Sequence, residues 1–251
     1  MRAELRARRD AFLDKIKSRP AVMGILNMTP DSFSDGGRFE AFDAAVAQAS
    51  TMVAEGCDIV DIGGESTRPS AVPVPAAEEL ARVEPVLTEL ARVLDVPLSI
   101  DTYKAAVAAR AAEIGAVMIN DVWGLQKDAK MAEVVAQTEA AVVITHNRVE
   151  RDAAVDIFAD MRRFFDRSLA LAAKARIPDL KSYGFPILVG ASHKAFLGSL
   201  TGDGIEGTLI GTVAVNLAAA TGGAAIFRVH DVAANVAALR VWHAIRGDAG
   251  E

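Results

Sequence analysis

The sequence predicts an α/β protein of the (β/α) barrel type, and three observations lead there. Apolar runs of strand length alternate with amphipathic or Ala-rich stretches of helical length along the whole chain. The strand-like runs are apolar at every position rather than at alternate ones, which suits parallel strands covered on both faces. Each run ends in polar residues, and in parallel α/β proteins ligands gather at the carboxyl ends of the strands. No composition break marks a linker, so residues 1–251 are expected to form one domain, with 1–20 as an N-terminal helix. A doubly wound open sheet is the alternative architecture.

The elements follow in order. The N-terminal helix places Leu5, Phe12, Leu13 and Ile16 toward a core and its arginines toward water. The run 22–26 is the first strand, and it breaks at Asn27 into a loop dense in turn residues, among them Pro30, Asp31, Asp35, Gly36 and Gly37. Helices are expected at 39–56, 76–94, 104–115, 131–138, 158–175, 209–221 and 233–246. Strands are expected between them at 57–62, 96–100, 116–119, 140–145, 185–189 and 224–229. This makes seven strand-like runs, whereas a regular barrel has eight. Between the helix ending near Ala175 and the strand at Phe185 only the segment ARIPDLKSYG intervenes, too short for another strand and helix. The barrel is therefore expected to be incomplete or irregular, with one βα unit missing.

Composition narrows the function. The net charge of −6 argues against broad nucleic-acid or membrane binding. No segment has the unbroken apolar length of a membrane span, and the charged N-terminus lacks the apolar centre of a secretory signal. The single cysteine, Cys57, sits in an apolar run and reads as buried filler in a reducing, cytoplasmic setting.

The residues just past the strands are Asn27, Thr67 with Arg68, Asp101, Asn120, His146, Ser192 with Lys194, and Arg228 with His230. Any one has a bland explanation: an Asp caps the next helix, a His is structural, an Arg is solvated. As a set on one rim they suggest two chemistries. Arg68, Arg228, His230 and Asn27 suit an anion of the phosphate class, because Arg forks match phosphate oxygens. Asn27 is also a reasonable oxygen ligand for Mg²⁺. Asp101 and Asn120 offer the acceptors and the amide that a flat heterocycle with an aminopyrimidinone edge requires. No nucleophilic triad, His/Cys metal cluster, GxxxxGK[ST] or GxGxxG motif appears. Such a site works by positioning and charge stabilisation rather than by covalent catalysis.

The segments GILNMTPDSFSDGG, DIGGESTRPS, SIDTYK, MINDVWG, ILVGASHKAFLG and FRVHDV, in that order between residues 21 and 232, resemble the successive motifs of the dihydropteroate synthase family. The resemblance implies a TIM-type barrel, a pterin-binding transferase of folate biosynthesis. It would join 6-hydroxymethyl-7,8-dihydropterin pyrophosphate to p-aminobenzoate, giving 7,8-dihydropteroate and pyrophosphate. By motif, Asn27 would hold Mg²⁺, and Arg68, Arg228 and His230 the pyrophosphate. Asp101, Asn120 and Lys194 would hold the pterin, with Asp101, Lys194 and Arg68 as the catalytic set. Thr67, Pro69, Ser192 and Phe33 would frame the p-aminobenzoate pocket, where sulfonamides compete, and the loops 29–39 and 65–74 would close over it. A homodimer is a further family expectation.

Two departures stand out. The family's DPGIGFGK-like strand and loop, which would bring an aspartate to the pterin, has no counterpart before ILVG. The family's Ser-Arg-Lys reads Ser192-His193-Lys194, exchanging a fixed cation for a titratable one. Beside an active synthase, these leave open a paralogue that binds pterin or a protein partner without making pteroate. A methyltetrahydrofolate methyltransferase-like pterin module is a third reading, against which the TPDSFSDGG and STRPS loops argue, since they suit a pyrophosphate-bearing substrate.

Overall fold

The computed structural model describes residues 1–29, 37–66, 71–148, 152, 154–175, 185–201 and 204–246. Helix α1 (Ala3–Ser18) leads into strand β1 (Ala21–Asn27). The later strands are β2 (Ile59–Gly63), β3 (Leu98–Asp101), β4 (Ala116–Asp121), β5 (Ala141–Ile144), β6 (Leu188–Val189) and β7 (Ile226–Val229). Between and after them lie α2 (Gly37–Ala54), α3 (Ala76–Val93), α4 (Ala105–Ile114), α5 (Met131–Thr138), α6 (Ile157–Lys174), α7 (Ala195–Thr201), α8 (Ile205–Thr221) and α9 (Val232–Ile245). Every strand pair is parallel, in the order β5-β4-β3-β2-β1-β7-β6, so the sheet is nearly closed as a barrel. Among the described residues no strand joins β5 to β6. The segment 176–184, which precedes β6 in the chain, lies outside the described residues.

Side-chain alternation separates two cores. Val22 and Leu26 of β1 pack outward with the helices, together with Val60, Ile62, Ile100 and Phe227. Ala21 and Met23 pack the other way, with Ile59, Met118 and Ile226, against Phe12 and Ile16 of α1. Period-two alternation with apolar residues on both faces is what makes these strands read as unbroken hydrophobic runs. Phe12 and Ile16 thus plug the floor of the barrel, each worth about 1.5–3 kcal/mol if fully removed from water.

Three expectations are corrected. The arginines at the start of α1 and within it do not simply face water. Arg2 donates to the Ile114 carbonyl (3.0 Å), Arg8 to that of Leu94 (3.3 Å) and Arg9 to that of Glu139. These carbonyls end α4, α3 and α5, where unpaired C=O groups and the negative end of the helix dipole attract cations. Helix α2 starts at Gly37, so the last residues of the expected 29–39 loop are helical, while 30–36 lie outside the described residues. The strand expected at 185–189 shrinks to Leu188–Val189, because it is an edge strand in which Pro186 has no N–H to donate. Helix α7 was not anticipated: seven residues containing Gly198 carry too little periodicity to announce a helix.

Candidate active site

The rim of the barrel is set by strand register. Asn27 pairs with Gly63, Gly63 with Asp101, and Asp101 with Asn120, so these four share one level across β1, β2, β3 and β4. Two residues above the apolar floor residues Ile59, Met118 and Ile226 stand Asp61, Asn120 and Arg228. The same parity that turns the floor residues inward therefore turns these three inward.

They form a single buried centre. Arg228 donates through Nε to Asp61 Oδ2 (2.6 Å) and through Nη2 to Asp101 Oδ2 (2.5 Å). Asn120 Nδ2 donates to the same Asp61 oxygen (2.9 Å). Asp61 has no solvent exposure and the Asp101 side chain only 7%. Two carboxylates share one guanidinium, so the centre is one positive charge short. Oδ1 of each Asp is buried without a partner, as is Ser99 Oγ, which sits beside Asp61 in the register. Burial pushes the Asp101 carboxyl up to about 7; Arg228 opposes this, while Asp61, Glu79 and Asp121 add to it.

Gly63 keeps the rim open. A Cβ there would lie 3.7 Å from Asp101 Oδ2 and 3.8 Å from Asn27 Oδ1, so both oxygens border one small space that a larger side chain would fill. Gly64 must be glycine: its Cβ would stand 2.7 Å from Val83 and 2.9 Å from Glu79 of α3. Among the described residues no group of three or more His, Cys, Asp or Glu gathers to hold a metal. Mg²⁺ does not require one, since it keeps several waters and binds through one or two protein oxygens plus substrate phosphates. The side-chain oxygen of Asn27 fits that sparse donor set.

The loop after β2 is anchored by Glu65. Its carboxylate accepts from the Val74 backbone N–H (3.0 Å) and from Tyr103 Oη (2.8 Å), and it pairs with Lys104 Nζ (2.5 Å). Lys104 also binds Glu79. One side chain thus ties both ends of the 65–74 loop to the turn between β3 and α4. Burial works to raise the Glu65 pKa, and Lys104, the Val74 N–H and Tyr103 outweigh it, leaving the group below its usual range.

On the other side of the barrel, Ser192 Oγ lies 2.9 Å from His230 Nδ1 and accepts from the His230 backbone N–H (3.2 Å). The pair ties the Ser192 hydroxyl and the His230 ring into one unit at the ends of β6 and β7. His193 packs edge-on against the His230 ring and bonds Asp231 through Nε2 (2.6 Å).

Of the residues singled out from sequence, Arg228 bonds Asp101 directly and is joined to Asn120 through Asp61, Asn27 stands beside them, and Ser192 and His230 pair with each other. Lys194 is exposed at the start of α7, with no hydrogen bond or ion pair to Asp101 or Asn120. Phe33, Thr67, Arg68 and Pro69 lie outside the described residues. His146 is structural: it bonds Asp160 of α6 (3.0 Å) and packs edge-on against Phe164. Cys57 is buried and burial pushes its thiol up to about 12, as filler requires. Asp61 was not among the sequence candidates.

A buried Asp–Arg–Asp–Asn centre at the carboxyl ends of barrel strands can be set beside known proteins. The family of pterin binding enzymes matches residues 23–180 and 167–230. The dihydropteroate synthase of Bacillus subtilis is 40% identical over 243 residues, covering 86% of this chain and 85% of that protein. The chain belongs to the dihydropteroate synthase family. The two pieces of the family match overlap at residues 167–180. Among solved family members, the dihydropteroate synthase of Clostridium difficile in the presence of pteroic acid superposes with a TM-score of 0.86 at 41% identity, covering 90% of this chain and 97% of that one. The Xanthomonas albilineans enzyme with 4-aminobenzoic acid gives 0.84 at 41% identity, over 91% and 93%.

Proposed function

We propose that this chain is a dihydropteroate synthase, joining 6-hydroxymethyl-7,8-dihydropterin pyrophosphate to p-aminobenzoate. The observation that carries the reading is the buried centre of Asp61, Asp101, Asn120 and Arg228, an acid-rich pocket at the strand ends of a family barrel.

Asp101 and Asn120 grip the aminopyrimidinone edge of the pterin. The pyrophosphate sits where Arg228 and His230 face it, with Arg68 expected to join them. Asn27 is the residue that would hold Mg²⁺, whose contribution is charge neutralisation on the leaving group. The C–O bond to pyrophosphate breaks, and the bonding pair leaves with the oxygen. The electron-rich ring and the Asp101 carboxylate support the positive charge left on the pterin methylene. The uncharged arylamine nitrogen attacks that carbon and then loses a proton. Thr67, Pro69, Ser192 and Phe33 frame the arylamine, hold it in line and exclude water. The same reading takes the chain to be cytoplasmic and homodimeric.

Incorporation of labelled p-aminobenzoate into dihydropteroate, with both substrates and Mg²⁺ present, tests the reading. Product above background is expected, and its absence would reject the synthase. A second reading, pterin binding without transfer, is favoured by one observation: Lys194, assigned to the pterin by resemblance, is exposed and unconnected to Asp101 and Asn120. Calorimetric binding of pterin together with a null turnover assay would select it.

A further inference from the structure

Asp61 is the least exposed of the charged residues in the centre, and no role has yet been given to it. Its Oδ2 receives Asn120 Nδ2 from β4 at 2.9 Å and Arg228 Nε from β7 at 2.6 Å. One buried oxygen therefore holds two site residues that approach from opposite sides of the barrel. A carboxylate can only accept, so the Asn120 amide must point its nitrogen at Asp61 and turn its oxygen away. The reverse orientation would set the amide oxygen against a carboxylate oxygen at that same distance. Asn120 therefore offers a ligand its Oδ1 as an acceptor, next in register to the acceptor carboxylate of Asp101. A pocket presenting two adjacent acceptors recognises a ligand edge with adjacent N–H donors.

We infer that Asp61 is a specificity-determining positioning residue: by fixing the Asn120 amide, it makes the pocket accept the 2-amino edge of a pterin and reject the 2-oxo edge of a lumazine. This rests on the pterin-binding reading given above. The discrimination arises because a 2-oxo group would place an acceptor against acceptors, leaving buried polar groups unpaired. Asp61 need not touch the ligand.

The test is calorimetric titration of the full chain with 6-hydroxymethylpterin and with 6-hydroxymethyllumazine. The parent is expected to prefer the pterin by more than about tenfold, one mismatched buried hydrogen bond. In Asp61→Leu the acceptor is gone, so Asn120 is free to turn over and the preference should fall to within about threefold. In Asp61→Asn the Arg228 Nε still calls for an oxygen at the same place. Asn120 therefore keeps its sense, and the preference should be retained. A purely structural role predicts equal losses for both ligands in Asp61→Leu, with the preference unchanged; that result would overturn the inference while leaving the pterin reading intact. A parent that binds neither ligand would overturn both. Should Asp61→Leu fail to fold, Asp61→Ser decides, because its hydroxyl can donate or accept: a preference within about threefold supports the inference and an undiminished one refutes it.

Discussion

Asp58, just before β2, and Asp61, within it, lie three residues apart and both are buried, yet they are treated in opposite ways. At the floor, Asp58 is fully satisfied. Its Oδ1 takes Lys15 (3.1 Å) and Arg19 (2.5 Å), and its Oδ2 takes Arg19 (3.2 Å) and the Val22 N–H (2.9 Å). Two cations serve one acid. At the rim, one cation serves two acids, Asp61 and Asp101, and each keeps an oxygen without a partner. Burial works to raise the Asp58 pKa, but Arg19, the Val22 N–H and Lys15 hold it below its usual range, while burial carries Asp101 up to about 7. The floor is complete without a ligand. The rim is left short of donors, the condition in which a ligand that brings N–H groups binds tightly.

The largest expected effect is at the rim. Asp101→Asn removes the anionic acceptor and should cost pterin affinity more than about a hundredfold at pH 8, read by calorimetry. It should cost little stability, because Arg228 keeps Asp61. Arg228→Ala is expected to weaken recognition of the pterin pyrophosphate by more than about tenfold and also to destabilise the fold by about 3–5 kcal/mol, since two carboxylates lose their shared cation. Substrate KM and urea midpoints report the two losses separately. Asp58→Asn should do the reverse, costing about 1–3 kcal/mol in urea with kcat/KM unchanged. A change in catalysis there would erase the contrast between floor and rim.

The pH dependences should also have opposite signs. The folded Asp101 carboxyl keeps its proton up to about 7 against an ordinary value of 3.8, so its contribution to stability falls as pH rises across that window. Pterin affinity moves the other way, weakening by about tenfold per unit as pH drops below 7, and Asp101→Asn should flatten this profile. Asp58 has a lowered value, so its stabilisation is present above 3.8 and is lost as pH falls further; parent and Asp58→Asn should converge in strong acid. The smallest effect is expected from Glu65→Gln. It loosens the base of the 65–74 loop and should raise the KM for p-aminobenzoate by about threefold, one weakened hydrogen bond, with pterin affinity unchanged.

Much of this was legible in the chain. Alternating apolar runs and helices announced the barrel, and polar residues at the carboxyl ends of the strands announced Asn27, Asp101, Asn120 and Arg228, because a strand end is visible as an abrupt change of polarity. Asp61 escaped for the same reason. It sits inside DIVDIGG, before the strand ends, where polarity suggested only an interruption. Its parity with Ile59 was the available signal. Lys194 was legible only as a rim residue: it is exposed just before α7, and which group it meets depends on the ligand.

By itself the sequence determined the alternation of strands and helices, the family, and which residues reach the rim, since these depend on local pattern and on chain order. Only the tertiary structure decided that Asp61, Asp101, Asn120 and Arg228 share one buried charge centre and that α1 plugs the floor while its arginines cap three helices. Those outcomes depend on which strands become neighbours and on how deeply each carboxylate is withdrawn from water. Neither quantity is defined until the sheet curls.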